Sequence, residues 1–212
     1  MIFTTLLTLI SAAAASPVGM SDARATTAKA FRLVVRVTDK SHEFSSSIEG
    51  NYLDNIHVGA DQSIIGVRPG DQDTRVFYIN GTKAEAKIGD STIVSDTGHP
   101  AVPWGLLLTK TDLGDDDASV EQNAGAGTKG LAIANTPTQL RLGPGQYAVC
   151  NEVIPYYRAN YLVLKHFDDS TKLSADCAAV SVIPECAELA PLAKDAISTH
   201  KFVQEAACYA RA

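Results

Sequence analysis

Regular alternation of apolar and polar side chains in one early segment limits the folds that this sequence can adopt. In KAFRLVVRVTD, residues 29–39, the apolar residues Phe31, Leu33, Val35 and Val37 stand at every second position. A period of two residues is that of a β-strand with one buried face, whereas an amphipathic helix repeats every 3.6 residues. We therefore expect a strand here that covers one side of an apolar core.

Further short apolar segments follow at intervals typical of an all-β protein. They are separated by Gly, Pro, Asn and Asp, which favour turns. This spacing predicts a mainly β fold, an antiparallel β-sandwich or barrel. The expected strands are 48–53, 63–67, 75–79, 83–88, 92–95, 106–109, 131–134, 139–142, 146–153, 160–167 and 178–183.

One α-helix is predicted at the C-terminal end, over about 186–209. Leu189 and Leu192 begin a set of apolar residues that recurs near the helical period. Cys186 and Cys208 stand near the two ends of this segment, so disulfides could fix the helix to the sheet.

The cysteine content indicates two disulfides. No C-x-x-C pair, which would indicate zinc or redox chemistry, is present. An even number of cysteines in an oxidising compartment is expected to pair, and three pairings remain open. The four residues are Cys150, Cys177, Cys186 and Cys208.

The N-terminal segment MIFTTLLTLISAAAA, residues 1–15, has the features of a secretory signal peptide. It carries no charged side chain, has a short apolar stretch and ends in small residues that suit cleavage. Residues 16–28 are then expected to be a flexible leader, and residues 29–212 a single domain. The protein is predicted to be secreted and extracellular.

Charge excludes some classes of partner. The formal net charge is -6, and no cluster of Lys and Arg is present, so neither nucleic acid nor a membrane surface is an expected partner. The acidic run Asp115–Asp117 lacks the ligand spacing of an EF-hand and is interpreted as part of a solvated loop, 112–130. No metal and no cofactor is expected.

The stretch RVFYINGT, residues 75–82, carries two signals. Asn80-Gly81 between apolar segments predicts a two-residue β-hairpin turn. Asn80-Gly81-Thr82 is also an acceptor sequence for N-glycosylation, which the signal peptide makes possible. We expect an exposed, glycosylated hairpin tip.

Two patterns suggest catalysis, and both are incomplete. The triplet DTG at 96–98 resembles the active-site triplet of aspartic proteases, but the second aspartate that this chemistry requires has no matching triplet. His57, with Glu49 and Arg75, could perform the acid and base steps of a small secreted ribonuclease, although such residues co-occur by chance. The protein is therefore expected not to be an enzyme.

Candidate binding residues lie in HPAVPWG, residues 99–105, and at one histidine. Prolines stiffen this segment, and Trp104 is the only tryptophan, a residue type enriched at interface hot spots. Packing of Trp104 in the core is the alternative. The candidates are Trp104, Pro103, His99 and His57.

Tyrosines near residue 160 provide another candidate. Tyr156, Tyr157 and Tyr161 could form a platform for a sugar, although PYYRANYLVL also has the pattern of a turn that enters a strand. A cell-wall or carbohydrate-associated role is therefore an alternative function.

Three segments together carry a resemblance to a known group of proteins: KAFRLVVRVTD, IEGNYLDNIHVGA (48–60) and FYINGT (77–82). They resemble the N-terminal half of a family of small, mostly uncharacterised proteins secreted by filamentous fungi. The resemblance implies a fungal effector-type virulence protein that binds an extracellular protein partner, such as a papain-like cysteine protease of a host, and inhibits it. It implies no catalytic residue.

Overall fold

Nearly all regular structure in this protein is β. The computed structural model describes residues 24–70, 73–110, 117–136, 138–168 and 172–211. Within these ranges there are fifteen strands and one short α-helix, α1 (Lys83–Ile88). The strands are β1 (Ala25–Ala28), β2 (Ala30–Val37), β3 (Tyr52–Gly59), β4 (Gln62–Arg68), β5 (Tyr78–Asn80), β6 (Thr92–Thr97), β7 (Val102–Thr109), β8 (Asp117–Ala124), β9 (Ala132–Asn135), β10 (Leu140–Gly143), β11 (Gln146–Ile154), β12 (Ala159–Phe167), β13 (Cys177–Ala187), β14 (Val203–Gln204) and β15 (Ala206–Tyr209).

Strand pairing joins most of the chain into one sheet. Thirteen strands belong to it, and β9 and β10 form a separate antiparallel pair. From β13 the pairing runs through β2, β3, β4 and β12 to β11, which pairs with β13 again. Strands β5 to β8 form a meander that attaches through β8 to β4 and β12. The predicted mainly β character is confirmed, the named strand pairs are antiparallel apart from β13 with β15, and the choice between sandwich and barrel stays a prediction.

The main apolar core contains the alternating residues of the first predicted strand. Phe31, Leu33 and Val35 are at most 1% exposed and belong to one cluster of buried side chains. Val34, on the other face of β2, is also buried, because it packs with residues of β3 and β13 in a second, smaller cluster. Both faces of β2 are therefore covered, although the sequence predicted only one buried face.

Both predicted disulfides are present, and the pairing that the sequence left open is now assigned. Cys150 of β11 bonds to Cys177 of β13, and Cys186 of β13 bonds to Cys208 of β15. In each bond the two cysteines lie on different strands of the large sheet. The disulfides therefore link the start of β13 to β11 and its end to the C-terminal strand β15, both along the edge of β13 that faces away from β2.

The predicted helix over about 186–209 is wrong. β13 extends into this segment, irregular structure follows over 188–202, and two short strands complete it. We call residues 188–202 the C-terminal strap. Pro191 opposes a helix, because it lacks a backbone N–H and its ring clashes with the preceding turn. Leu189 and Val203, which suggested one helical face, pack from separate elements against one small buried cluster.

The predicted strand at 83–88 and the predicted Asn80-Gly81 hairpin are also wrong, because the chain enters helix α1 after Asn80. Thr82 is the N-cap: its hydroxyl accepts from the Glu85 backbone N–H at 3.2 Å, and the Glu85 carboxylate accepts from the Thr82 N–H at 2.7 Å. This reciprocal capping box stabilises a helix start. Asn80 lies half-buried in β5 between β6 and β14, and its glycosylation stays a prediction.

Two segments expected to be irregular contain strands. The end of the predicted flexible leader, 16–28, forms β1, which pairs with β15 beside the Cys186–Cys208 bond. The predicted acidic loop, 112–130, contains β8. The signal peptide, the rest of the leader up to residue 23, and residues 111–116 lie outside the described residues.

Candidate binding surface at the tip of the β11–β12 hairpin

The hairpin formed by β11 and β12 has two halves with different surroundings. Its register runs from Gln146 opposite Phe167 to Ile154 opposite Ala159. β13 pairs with β11 only between Tyr147 and Cys150, and β4 and β8 pair with β12 only at Val163 and between Lys165 and Phe167. We call residues 146–150 and 163–167 the base half, and residues 151–162 the tip half. In the tip half, the two hairpin strands pair only with each other among the strands that the structure describes.

A tight turn closes the tip half. The backbone N–H groups of Tyr157 and Arg158 both donate to the carbonyl of Ile154, at 3.1 and 2.9 Å. Arg158 has φ of +52°, a left-handed conformation that non-glycine residues seldom adopt outside turns. Tyr156 is 58% exposed and Tyr157 is 41% exposed. The turn therefore holds two large aromatic side chains in solvent.

Four aromatic rings form a continuous patch, which we call the tyrosine surface: His57, Tyr156, Tyr157 and Tyr161. The ring of His57 lies 5.7 Å from that of Tyr156 and nearly perpendicular to it. Tyr156 and Tyr157 are 4.9 Å apart, and Tyr157 and Tyr161 are 5.3 Å apart. The first two contacts are edge-to-face, an arrangement that is favourable between aromatic rings, and the third is tilted. The rings therefore support one another in an exposed position.

A pocket of about 220 Å³ adjoins the tyrosine surface at Tyr161. The β3–β4 pair provides much of its lining. Gly66 packs closely against Ile56, because a Cβ atom at this position would lie 2.3 Å from Cδ1 of Ile56, whose side chain would then have to move. Its polar groups include the ion pair of Arg68 Nη1 with Asp54 Oδ2, 3.0 Å apart. The lining residues are Asp54, Asn55, Ile56, Gly66, Val67, Arg68, Tyr161 and Leu162.

A larger cleft of about 560 Å³ shares three residues with this pocket: Asp54, Asn55 and Arg68. Arg75, on its wall, hydrogen-bonds Thr97 and has its Nε 3.8 Å from Asp54 Oδ1. Burial lowers the pKa of the Arg75 guanidinium, and the charge of Asp54 opposes that shift. The pocket and the cleft therefore meet at a polar region next to the tyrosine surface.

Asp96, from the protease-like triplet, lines the cleft, and both of its carboxylate oxygens have partners. Its Oδ2 lies 2.7 Å from Nε2 of His200, and its Oδ1 accepts from the Tyr78 hydroxyl at 3.0 Å. Burial and then the charge of Asp96 raise the pKa of Tyr78, so this hydroxyl stays protonated and can donate. The contact with His200 fastens the C-terminal strap to β6. The geometry gives Asp96 a structural part.

The predicted binding residues of HPAVPWG lie on the β6–β7 hairpin and differ in how exposed they are. Trp104 is only 8% exposed and pairs with Ser95 inside the sheet. Pro103 is half-buried in β7, and His99 is exposed in the short hairpin loop 98–101. Residues 96–105 are therefore largely part of two paired strands.

The three residues of the ribonuclease hypothesis have separate partners. Glu49 hydrogen-bonds Arg36 and accepts from the Val37 N–H at 2.7 Å. Arg75 lies in the cleft, whereas His57 is exposed and contacts Tyr156. His57 is thus the predicted site residue that joins the tyrosine surface.

Asn55 and Arg68 were not predicted as site residues, because neither belongs to a sequence pattern that indicates binding. Only the fold brings β3 and β4 next to Tyr161, which is more than 90 positions further along the chain. The tyrosines of PYYRANY did give a signal: two successive aromatic residues in a turn between two strand-like segments.

Neither a metal site nor a membrane-spanning helix has a candidate in the part of the chain that the structure describes. There, no group of three or more His, Cys, Asp or Glu side chains could hold a metal ion. No helix of that part is long and apolar enough to cross a membrane.

Comparison with protein families gives one match that covers most of the chain. Residues 28–186 match a domain of unknown function, DUF7907. The chain belongs to this family. The matched region contains the tyrosine surface, the pocket and all but the strap wall of the cleft.

A fungal relative supports the resemblance noted in the sequence. The chain is 38% identical over 195 residues to antigenic protein SchS34 of Stachybotrys chartarum, with 86% of each chain covered. No solved structure matches this chain. The comparisons thus support a fungal family without an assigned activity, and the motif pattern itself stays a prediction.

Proposed function

We propose that this protein is a secreted fungal binding protein without catalytic activity, and that it attaches to extracellular polysaccharide through the tyrosine surface. The observation that carries this proposal is the patch of mutually supported, solvent-exposed rings beside a polar pocket. The disulfides fit an extracellular protein, since such bonds persist in oxidising compartments.

The composition of the patch favours a sugar chain as the ligand. A tyrosine ring offers an apolar face for the C–H side of a sugar ring and a hydroxyl for its polar edge. Ligand sites typically combine such aromatic area with a few fixed polar groups. Asp54, Asn55 and Arg68 are polar groups of this kind and lie next to Tyr161.

Pre-organisation adds to the expected affinity. The rings contact one another, and the turn that carries Tyr156 and Tyr157 is hydrogen-bonded to Ile154. Fewer side-chain conformations are then lost when a ligand binds, which lowers the entropic cost of binding.

The test is retention on insoluble polysaccharides. The purified mature protein is mixed with cellulose, chitin and β-1,3-glucan, and the bound fraction is measured after sedimentation. We expect retention on at least one of these, and at least about tenfold weaker binding by the double variant Tyr156→Ala/Tyr157→Ala.

A matched control removes an exposed aromatic ring elsewhere. Phe202 is 42% exposed and lies outside the tyrosine surface, so Phe202→Ala should bind as the unmodified protein does. The proposal fails if no polysaccharide retains the protein, or if the double variant is retained as well as the control.

Inhibition of a host protease is the second candidate, and the shape of the hairpin favours it. The tip half ends in a tight turn that carries two exposed tyrosines, as a segment that enters an enzyme cleft would. The assay measures papain activity with excess protein. Loss of papain activity that Tyr156→Ala/Tyr157→Ala restores would support this candidate, and full papain activity with the unmodified protein would exclude it for papain.

A further inference from the structure

We propose that the pocket beside Tyr161 is a second, polar subsite, which hydrogen-bonds two neighbouring hydroxyl groups on the sugar unit next to the one stacked on the tyrosine surface. This inference rests on the proposed polysaccharide binding and specifies which sugar chains are accepted.

Continuity of the binding region is the first argument. Tyr161 contacts Tyr157 at 5.3 Å between ring centres and also lines the pocket. A chain stacked on the tyrosines therefore reaches the pocket without crossing a gap. At about 220 Å³, with Gly66 and Ile56 packed closely together in its lining, the pocket is a small recess suited to one polar ring.

The ion pair of Arg68 with Asp54 supplies the recognition groups. One guanidinium nitrogen of Arg68 contacts Asp54, and the side chain of Arg68 is 55% exposed. Asp54 also accepts from the Asn55 backbone N–H at 2.8 Å, which fixes its carboxylate. Arginine carries five N–H donors in a planar fork, and a carboxylate has several lone pairs. Donor and acceptor thus lie side by side.

Two neighbouring hydroxyl groups complement this arrangement. Each hydroxyl can donate one hydrogen bond and accept others. One can therefore accept from Arg68 while its neighbour donates to Asp54. A site built to hydrogen-bond a hydroxyl discriminates strongly against an analogue that lacks it, since its polar groups are left unpaired.

Asn55 provides an additional unused group. Its side chain lines both the pocket and the larger cleft, and its amide oxygen is buried without a hydrogen-bond partner. A buried polar atom without a partner is costly, so such atoms call for an explanation. Reorientation of this amide towards a bound sugar would satisfy it.

The experiment titrates the folded protein with soluble hexasaccharides of β-1,4-glucose, β-1,3-glucose and β-1,4-N-acetylglucosamine, followed by calorimetry. The O-methylated form of the best binder is the comparison probe, because it keeps the ring faces and loses the hydroxyl donors. We expect the methylated probe to bind about tenfold more weakly.

Variants test the residues one by one. Arg68→Ala should weaken binding about tenfold, and Arg68→Lys, which keeps the charge but loses the planar fork, by an intermediate factor. Asn55→Ala should weaken binding severalfold. Lys87→Ala, on helix α1, removes a positive charge outside the site and should have no effect. Thermal unfolding of each variant checks that it is folded.

The outcomes separate the two proposals. If the tyrosine variants lose binding while Arg68→Ala, Asn55→Ala and the methylated probe have no effect, the polar subsite is refuted and the proposed function stands. If the unmodified protein binds none of the hexasaccharides and no insoluble polysaccharide, both proposals fall. If Arg68→Ala is unfolded, Arg68→Lys and the methylated probe decide the matter.

Discussion

The base half and the tip half of the β11–β12 hairpin each contribute a tyrosine to a tyrosine–histidine contact, and the two contacts have opposite surroundings. In the base half, the Tyr147 and His166 rings are 5.2 Å apart and Tyr147 is 3% exposed. In the tip half, Tyr156 contacts His57 at 5.7 Å and is 58% exposed. The residue types are the same. Tyr147 belongs to the main core cluster, in the part of β11 that pairs with β13, whereas Tyr156 lies beyond Cys150, where that pairing ends.

Position in the sheet, more than residue type, therefore decides whether a tyrosine packs in the core or is exposed for contact with a ligand. In the base half, strands lie on both sides of the hairpin and its apolar side chains enter the core. In the tip half, only the two hairpin strands pair with each other. Exposed aromatic residues that pack mainly with one another are typical of binding sites rather than of cores.

Removal of a core side chain should give the largest contrast between the halves. Leu164, in the base half, is fully buried, whereas Val153, in the tip half, is 63% exposed. Leu164→Ala should lower the free energy of unfolding by about 2–5 kcal/mol, and Val153→Ala by less than about 0.5 kcal/mol. Urea denaturation measures both. Similar losses for the two variants would show that the tip half is packed like the base half.

Removal of a tyrosine hydroxyl should give a smaller difference in stability between the two halves. The Tyr147 hydroxyl is buried without a hydrogen-bond partner, so Tyr147→Phe should raise the free energy of unfolding by about 1 kcal/mol. Tyr156→Phe should leave it unchanged, because that hydroxyl is in solvent. Chemical denaturation of the two variants is the measurement. A loss of stability in Tyr147→Phe would mean that a buried water serves the hydroxyl.

Lys165 connects the two halves through ion pairs. Its replacement should give the smallest effect on stability, and this effect should depend on pH. Its Nζ lies 2.9 Å from Asp117 and 3.2 Å from Glu152 of the tip half. Although desolvation by burial is the largest single influence and lowers the pKa of Lys165, the contacts with Asp117 and Glu152 together raise it above its ordinary value. The stabilisation is therefore complete below about pH 10.4 and is lost as the pH rises through the folded-state pKa.

The measurement compares thermal unfolding of the unmodified protein and Lys165→Met at pH 8 and pH 11. The difference in free energy of unfolding between them should be below about 1 kcal/mol at pH 8, because both carboxylate partners of Lys165 are partly exposed, and smaller still at pH 11. A difference that grows with pH would contradict the assignment of these two partners.

Local signals in the sequence predicted much of the β structure, and they failed where tertiary contacts decide. Phe31, Leu33 and Val35 reveal β2 because their spacing is itself the structural period. The segment 83–88 is too short for its pattern to separate strand from helix, and the capping box at Thr82 selects the helix. The C-terminal strap resembled a helix because apolar residues of separate elements happened to recur near helical spacing.

The candidate site was only partly accessible to prediction. The tyrosines and His57 could be named because aromatic residues in turn-rich contexts are conspicuous. The contact between His57 and Tyr156 depends on the position of β3 beside the hairpin tip, and the position of Arg68 depends on it too. This packing of distant segments leaves no local pattern in the sequence. Disulfide pairing was open for the same reason: it follows from the register of β11 against β13.

The pairing of β1 with β15 has a practical consequence for engineering. Ala25 lies opposite Tyr209, and the Ala210 N–H donates to the Arg24 carbonyl at 3.4 Å. A short peptide linker between these neighbouring positions would permit circular permutation, with new ends opened at the turn between Tyr157 and Arg158. Such a permutant would keep the strand pairing of the sheet but would break the chain within the tyrosine surface.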